Sequence, residues 1–285
     1  MKKINAALLT FLAAVQLASL EWPSSLMNAT SVFGQKTDST VQRGIVLSKT
    51  EEVRAAGDGE VLLVMEESSN LSGFPGTLGN AVLVAHEDSL ISVYGNLDDL
   101  LRVAEAIQVE SGAIIGAAKK NPGENEGDCF FQVYDTDRKN LLNPQMLLPS
   151  IPDSKAPVIR NASAVSIANG QAYPLGTLKT LKQGKYRIIA EIFDTVNSGN
   201  AELGIFRASV LVNGAETASV PFELFKEKEG KLSVGTDIDG SVLYTDDARL
   251  NLGEIRISRG RADITIVARD IAGNERSVQF GLTVE

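Results

Sequence analysis

The sequence predicts an all-β protein built from two tandem domains. Three observations carry this. Apolar runs have strand length rather than helix length, as in Val61-Leu62-Leu63-Val64 and Ala81-Val82-Leu83-Val84. Turn residues recur between the runs, as at Gly79-Asn80, Asn213-Gly214 and Gly273-Asn274. A proline-punctuated stretch, Pro149-Ser-Ile-Pro152-Asp-Ser-Lys-Ala-Pro157, divides the chain near its middle and favours extended backbone.

Composition narrows the function before any motif is read. The 285 residues are 44% hydrophobic and 22% charged, which excludes a disordered chain, a collagen and a multi-span membrane protein. The formal charge is −9, and basic residues cluster no further than pairs such as Lys119-Lys120, so nucleic-acid binding is not expected. One cysteine, Cys129, rules out an intrachain disulfide, and one histidine, His86, rules out chemistry that needs two.

The elements follow in order. Met1-Lys2-Lys3 precedes an uncharged, apolar-rich run from Ile4 to Leu20, the pattern of a bacterial-type signal peptide, too short for a membrane span. Residues 1–25 are assigned to it, with cleavage candidates at Ala18-Ser19 and Ser24-Ser25. No cysteine follows the apolar run, so no lipid anchor is expected. Residues 26–40 read as a linker, 41–149 as the first domain, 150–156 as a second linker and 157–285 as the second domain. Within the first domain, Asp98 to Ala106 is the one stretch with near-helical spacing. In the second, the best strand alternation is Tyr186-Ile188-Ala190-Ile192, and strands without intervening helices indicate a β-sandwich.

Five blocks of the first domain occur in a telling order. They are Val53 to Val61, Gly79 to His86, Leu90-Ile-Ser-Val-Tyr94-Gly95-Asn96-Leu97, Val109 to Gly116, and Phe131-Gln-Val133 followed by Leu142-Asn-Pro144. Together they resemble the lysostaphin/LytM-type zinc endopeptidases of the duplicated hybrid motif fold. Gly59, Gly79, Gly95, Gly112 and Gly116 are expected at positive φ in tight hairpins.

The resemblance implies a zinc held by His, Asp and His, with two helper histidines. Zinc in such a site lowers the pKa of its water to about 7. Here each of those positions departs. Gln42 and Val46 stand where an H-x-G-x-D segment is expected, Asn96 stands for the histidine of Y-G-H-L, and Asp128 and Phe130 stand for the two histidines of H-L-H-F-E-V. The resemblance therefore implies a degenerate peptidase domain with no metal, no cofactor and no catalytic residue. Gln42, Asn96 and Asp128 are the candidate binding positions of the remnant groove. Val46 and Phe130 are expected to collapse together at its floor, with Asp128 at the rim.

The two singletons have bland readings. His86 ends a strand before Glu87-Asp88-Ser89, and three consecutive residues chelate a metal poorly because they point in different directions. A structural histidine is expected. Cys129 sits beside Phe130 and Phe131 and reads as a buried small apolar residue rather than a nucleophile. In the second domain, Asp270-Ile-Ala-Gly273-Asn274 resembles the last hairpin of bacterial Ig-like sandwiches. Asp237-Ile-Asp239-Gly240 lacks most of a calcium loop and reads as a turn. Arg256, Arg259 and Arg261 read as a solvated strand face.

These readings converge on an exported, non-catalytic protein of the bacterial envelope, periplasmic or on the outer face. Its expected partner is a cell-envelope protein such as a peptidoglycan hydrolase, or peptidoglycan itself. The alternatives are an active metallopeptidase with atypical ligands, drawn from His86, Glu126, Asp128, Asp135 and Asp137, and a glycan-binding module.

Overall fold

The computed structural model of the chain describes residues 20–38, 40–67, 77–98, 100, 103–120, 123, 126–196, 201–228, 230–235 and 238–285. Most of the expected leader, the turn at 197–200 and Asp237 lie outside the described residues.

In chain order the first half holds β1 (Ala29–Ser31), β2 (Lys36–Thr37), β3 (Thr40–Val41), β4 (Ile45–Thr50), β5 (Glu52–Arg54), β6 (Gly59–Met65), β7 (Asn80–Ala85), β8 (Leu90–Leu97), β9 (Gln108–Val109), β10 (Ile114–Ala117), β11 (Lys119–Lys120), β12 (Gly127–Asp135) and β13 (Asn140–Leu142). Strand β12 is its axis. One edge of β12 pairs with β8, while the other pairs with β4 along residues 127–131 and with β13 along 133–135. The period-2 pattern of β12 explains its role. Cys129, Phe131 and Val133 are buried, and Asp128, Phe130, Gln132 and Tyr134 form the opposite, half-buried face. The core beneath it contains Ile45, Leu47, Val82, Val84, Tyr94 and Phe131.

The second half holds β14 (Val158–Ser166), β15 (Ala172–Pro174), β16 (Thr180–Leu181), β17 (Gly184–Phe193), β18 (Arg207–Val212), β19 (Ala215–Pro221), β20 (Leu224–Lys228), β21 (Lys231–Val234), β22 (Ile238–Asp239), β23 (Leu250–Ile257), β24 (Gly260–Arg269) and β25 (Glu275–Val284). Two sheets, β15-β14-β17-β23 and β16-β25-β24-β18-β19, share one core through residues such as Ile188, Ala190, Val210 and Ile264. Of the alternation expected in β17, Tyr186, Ile188 and Ala190 are buried and Ile192 is half-buried, while a register shift at Ile188/Ile189 buries Ile189 as well.

Residues 224–239 do not stay within the sandwich. Strand β20 pairs with β13, Asn140 opposite Lys226 and Leu142 opposite Leu224, so β20, β21 and β22 extend the first half's sheet. The segment read as the linker 26–40 also carries structure. Its β1 pairs with β4, and Phe33 enters the sandwich core, where its ring stacks on Phe225 at 4.3 Å between centroids. Burial drives this, since a fully buried Phe side chain contributes roughly 1.5–3 kcal/mol. Polar bonds fasten the same segment: Gln35 Nε2 donates to Glu202 O, Lys36 Nζ to Thr245 O, and Tyr244 Oη to Gly34 O.

Residues 20–25, read as the end of the leader, belong to the first half's packing. Leu20 is buried and its N–H donates to Leu147 O. Trp22 Nε1 donates to Pro149 O, Arg54 N donates to Pro23 O, and Thr50 Oγ1 donates to the buried Ser24. Around the expected helix at 98–106, Val103 and Ala104 donate to Leu100 O in a single turn; Asp99, Leu101 and Arg102 lie outside the described residues.

Of the five glycines expected at positive φ, Gly79 (+61°) and Gly112 (+78°) have it, and Gly59, Gly95 and Gly116 do not. Gly59 is held to glycine by crowding instead: an added Cβ would lie 2.3 Å from Ala85 O. Among the described residues no helix is long and apolar enough to cross a membrane.

Candidate functional site

The positions read as a remnant groove fall on and beside β4, β12 and β8. Val46 and Phe130 are direct partners in the antiparallel β4–β12 pair, so both side chains stand on one face. Gly95 flanks Phe130 on the other side. The Phe130 ring folds over Gly44, where an added Cβ would meet the ring Cζ at 2.9 Å and Phe131 O at 2.3 Å. Val46 and Phe130 are half-buried rather than sealed.

Asn96 follows Gly95 with φ +59°, a left-handed conformation that asparagine tolerates better than most residues. Its N–H donates to Leu78 O, and its side-chain Nδ2 donates to Asp128 O at 2.7 Å. The amide therefore ties β8 to β12 across the groove. Asp128 is half-buried and stands opposite Lys119 of β11. Gln42 is directed elsewhere. Its Nε2 donates to Thr37 Oγ1 at 3.1 Å, and its backbone pairs with Gly34 and Gln35 around the β2–β3 hairpin.

The zinc implied by the resemblance does not fit these residues. Val46 and Phe130 offer no donor atom, and Asn96 Nδ2 is held by the Asp128 carbonyl. The atypical set does not converge either. Asp135 is buried at the far end of β12, where Arg138 N donates to its Oδ1 and the Arg138 guanidinium pairs with its Oδ2. The Arg138 N–H, more than the nearby guanidinium, holds that carboxyl below its ordinary value.

His86 has a defined task. Nδ1 lies 2.7 Å from Asp58 O, Nε2 lies 2.7 Å from Ser92 Oγ, Ser92 Oγ lies 3.0 Å from Tyr94 Oη, and Ala56 N–H donates to Tyr94 Oη at 2.7 Å. The ends of this chain set its direction. A carbonyl can only accept, so Nδ1 carries the ring proton and Nε2 accepts from Ser92. Ser92 Oγ is also hydrogen-bonded to Tyr94 Oη, which accepts from Ala56 N–H. Burial pushes the Tyr94 phenol up to about 12, which keeps its proton in place. Ser92 is fully buried, so the Ser92–His86 contact is not a nucleophile presented to substrate. Glu87 and Asp88 are exposed. Cys129 is fully buried too, and desolvation, then Asp128, raise its thiol to about 12. The sequence reading found His86 but missed Ser92 and Tyr94; their i, i+2 spacing on one face of β8 was the available signal.

Comparison with known proteins places the first half. The profile of Peptidase family M23 matches residues 40–144, and a second family profile matches residues 156–285. An uncharacterized protein of Treponema pallidum (strain Nichols) is 31% identical over 126 residues, covering 40% of this chain and 86% of the relative. Among solved structures, the SpoIIQ-SpoIIIAH pore forming complex aligns at 19% identity and TM-score 0.36, covering 46% of this chain and 91% of that one. The solution structure of lysostaphin aligns at 13% identity and TM-score 0.37, covering 93% and 98%.

Proposed function

We propose, for a chain whose residues 40–144 match the model of Peptidase family M23, a non-catalytic binding role in the bacterial cell envelope. The observation that carries this reading is the side-by-side placement of Val46 and Phe130 on β4 and β12, where the resemblance would put zinc ligands. The sole histidine supports it, because both ring nitrogens are committed to the bonds with Asp58 and Ser92. The face of β12 that carries Phe130, with Asn96 and Asp128 beside it, then serves as a recognition surface; Gln42, bonded into the β2–β3 hairpin, takes no part in it. Its partner is an envelope protein such as a peptidoglycan hydrolase or a component of an envelope assembly. Met1 to Ser19, with two lysines before the apolar run, is read as the leader that exports the chain. The second half is read as an Ig-like domain. Its two-sheet strand order supports that, as does the parallel pairing of Thr180–Leu181 with Thr283–Val284.

The test is direct. Purified full-length protein is assayed for zinc by elemental analysis and for cleavage of purified peptidoglycan with and without a chelator. The expected result is sub-stoichiometric zinc and no cleavage. Chelator-sensitive cleavage would overturn the reading. Crosslinking in intact cells, with the wild-type chain against Phe130→Glu, identifies the partner, and the charged variant is expected to lose it. Retention on insoluble peptidoglycan without any crosslinked protein would replace the protein-binding role with a glycan-binding one.

A further inference from the structure

Three aspartates distant in sequence meet at the junction of the two halves. Asp153 lies in the 150–156 segment, Asp194 directly follows β17, and Asp270 opens the turn between β24 and β25. One carboxylate oxygen from each lies within 4.8 Å of the other two. Asp194 is 4% exposed and Asp270 is 2% exposed. The cluster lines a cavity of about 280 Å³ shared with Trp22 and Pro149 from one half and Ile271 from the other.

Like charges at this spacing repel, so the surroundings of each group matter. Asp270 is satisfied by its own turn: Asn274 N donates to Oδ1 and Asn274 Nδ2 to Oδ2, both at 2.8 Å. The same Asn274 amide donates to Asp153 O, which draws the linker onto the hairpin. Ser154 N and Lys155 N donate to Asp153 Oδ1. Asp194 is different. Its backbone is bonded to Leu203, yet its Oδ1 is buried with no hydrogen-bond partner. A buried carboxylate oxygen without a partner is costly. Among the described residues no ion pair involves Asp194 or Asp270, and the nearby Lys155 Nζ donates to Val196 O.

We propose that Asp153, Asp194 and Asp270 form a calcium site that pins the linker to the sandwich. The donors are all oxygens, which selects a hard cation over zinc or copper. Calcium–oxygen bonds of about 2.3–2.6 Å place ligands on opposite sides of an ion up to ~5 Å apart, whereas magnesium at ~2.1 Å demands a tighter cage. The ion would supply the partner that Asp194 Oδ1 lacks. Three carboxylates, one divalent cation and Lys155 also sum to zero charge. This inference does not depend on the proposed role of the groove.

The full chain, freed of metal with EDTA and dialysed, is titrated with calcium chloride and with terbium chloride. Trp22, the single tryptophan, lines the same cavity and should sensitise terbium emission, with calcium displacing it. Millimolar calcium is expected to raise Tm by roughly 3–10 °C, the gain for ligand at about 10–100 times Kd in a chain of this size. Asp194→Asn keeps the side-chain shape and should remove both the terbium signal and the calcium-dependent rise. In metal-free protein the same change should raise Tm, because it relieves repulsion. An unchanged Tm with calcium, an equal rise with magnesium, or a full calcium response in Asp194→Asn would each overturn the assignment.

Discussion

Replacing Tyr94 by Phe removes one oxygen from the middle of the chain Ala56–Tyr94–Ser92–His86–Asp58 and leaves the ring packing intact. The Tyr94 ring sits 5.3 Å from Phe131, centroid to centroid, and that contact survives the change. What is lost is polar. Ala56 N–H, which donates to Tyr94 Oη at 2.7 Å inside a fully buried site, has no water to turn to. An orphaned buried donor costs about 1–3 kcal/mol, and the severed bond to Ser92 adds about 1 kcal/mol. The expected loss is therefore roughly 2–4 kcal/mol, which lowers Tm by roughly 5–15 °C in a chain of this size. Denaturant unfolding followed by far-UV circular dichroism measures it. Ser92→Ala alone removes the partner that Tyr94 Oη and His86 Nε2 share. The double variant should cost less than the sum, since it removes both sides of the 3.0 Å Ser92–Tyr94 contact. A loss below about 0.5 kcal/mol for Tyr94→Phe, or strict additivity in the double variant, would refute the directed network.

Three further outcomes are expected. Gly34→Ala should destabilise by about 2–4 kcal/mol, since a Cβ there meets Phe222 Cδ1 at 2.1 Å and the backbone has φ +83°. Gly214→Ala has the same φ but open space, so it should cost only the backbone share of about 1–2 kcal/mol, and equal losses in thermal melts would contradict the packing argument. Cys129 should resist alkylation in native protein at pH 8 and react in denaturant, read by intact mass; rapid native labelling would contradict its burial. Because Asp135 has a folded-state pKa below its unfolded value, its stabilisation is present above the unfolded pKa and is lost as pH falls through the folded one. Denaturant titrations at stepped acidic pH should show Asp135→Asn losing less stability on acidification than the wild type.

Strand content was legible because local alternation carries it, as at Tyr186, Ile188 and Ala190. Val46 and Phe130, singled out by their order along the chain, are direct partners across one strand pair. Strand β20 was not legible. Lys226 and Glu227 are exposed, and Phe225, stacked on Phe33 nearly two hundred residues earlier, is the segment's buried residue in the sandwich core. Crowding at Gly59 is likewise a property of the neighbouring strand and leaves no local trace. The aspartate cluster draws on three separate loops, so no spacing rule could have signalled it.

The pairing of Asn140 with Lys226 has a consequence for the order of events during folding. Residues 20–149 leave one edge of β13 bare until β20 arrives, and the sandwich core lacks a partner for Phe225 until Phe33 is in place. Each half is thus waiting for a piece held by the other. Long loops must close before these contacts yield anything, which slows the search. The assembly should lock late, in one concerted step, and a nascent chain stalled before residue 224 should present an open β edge to chaperones or to other copies of itself.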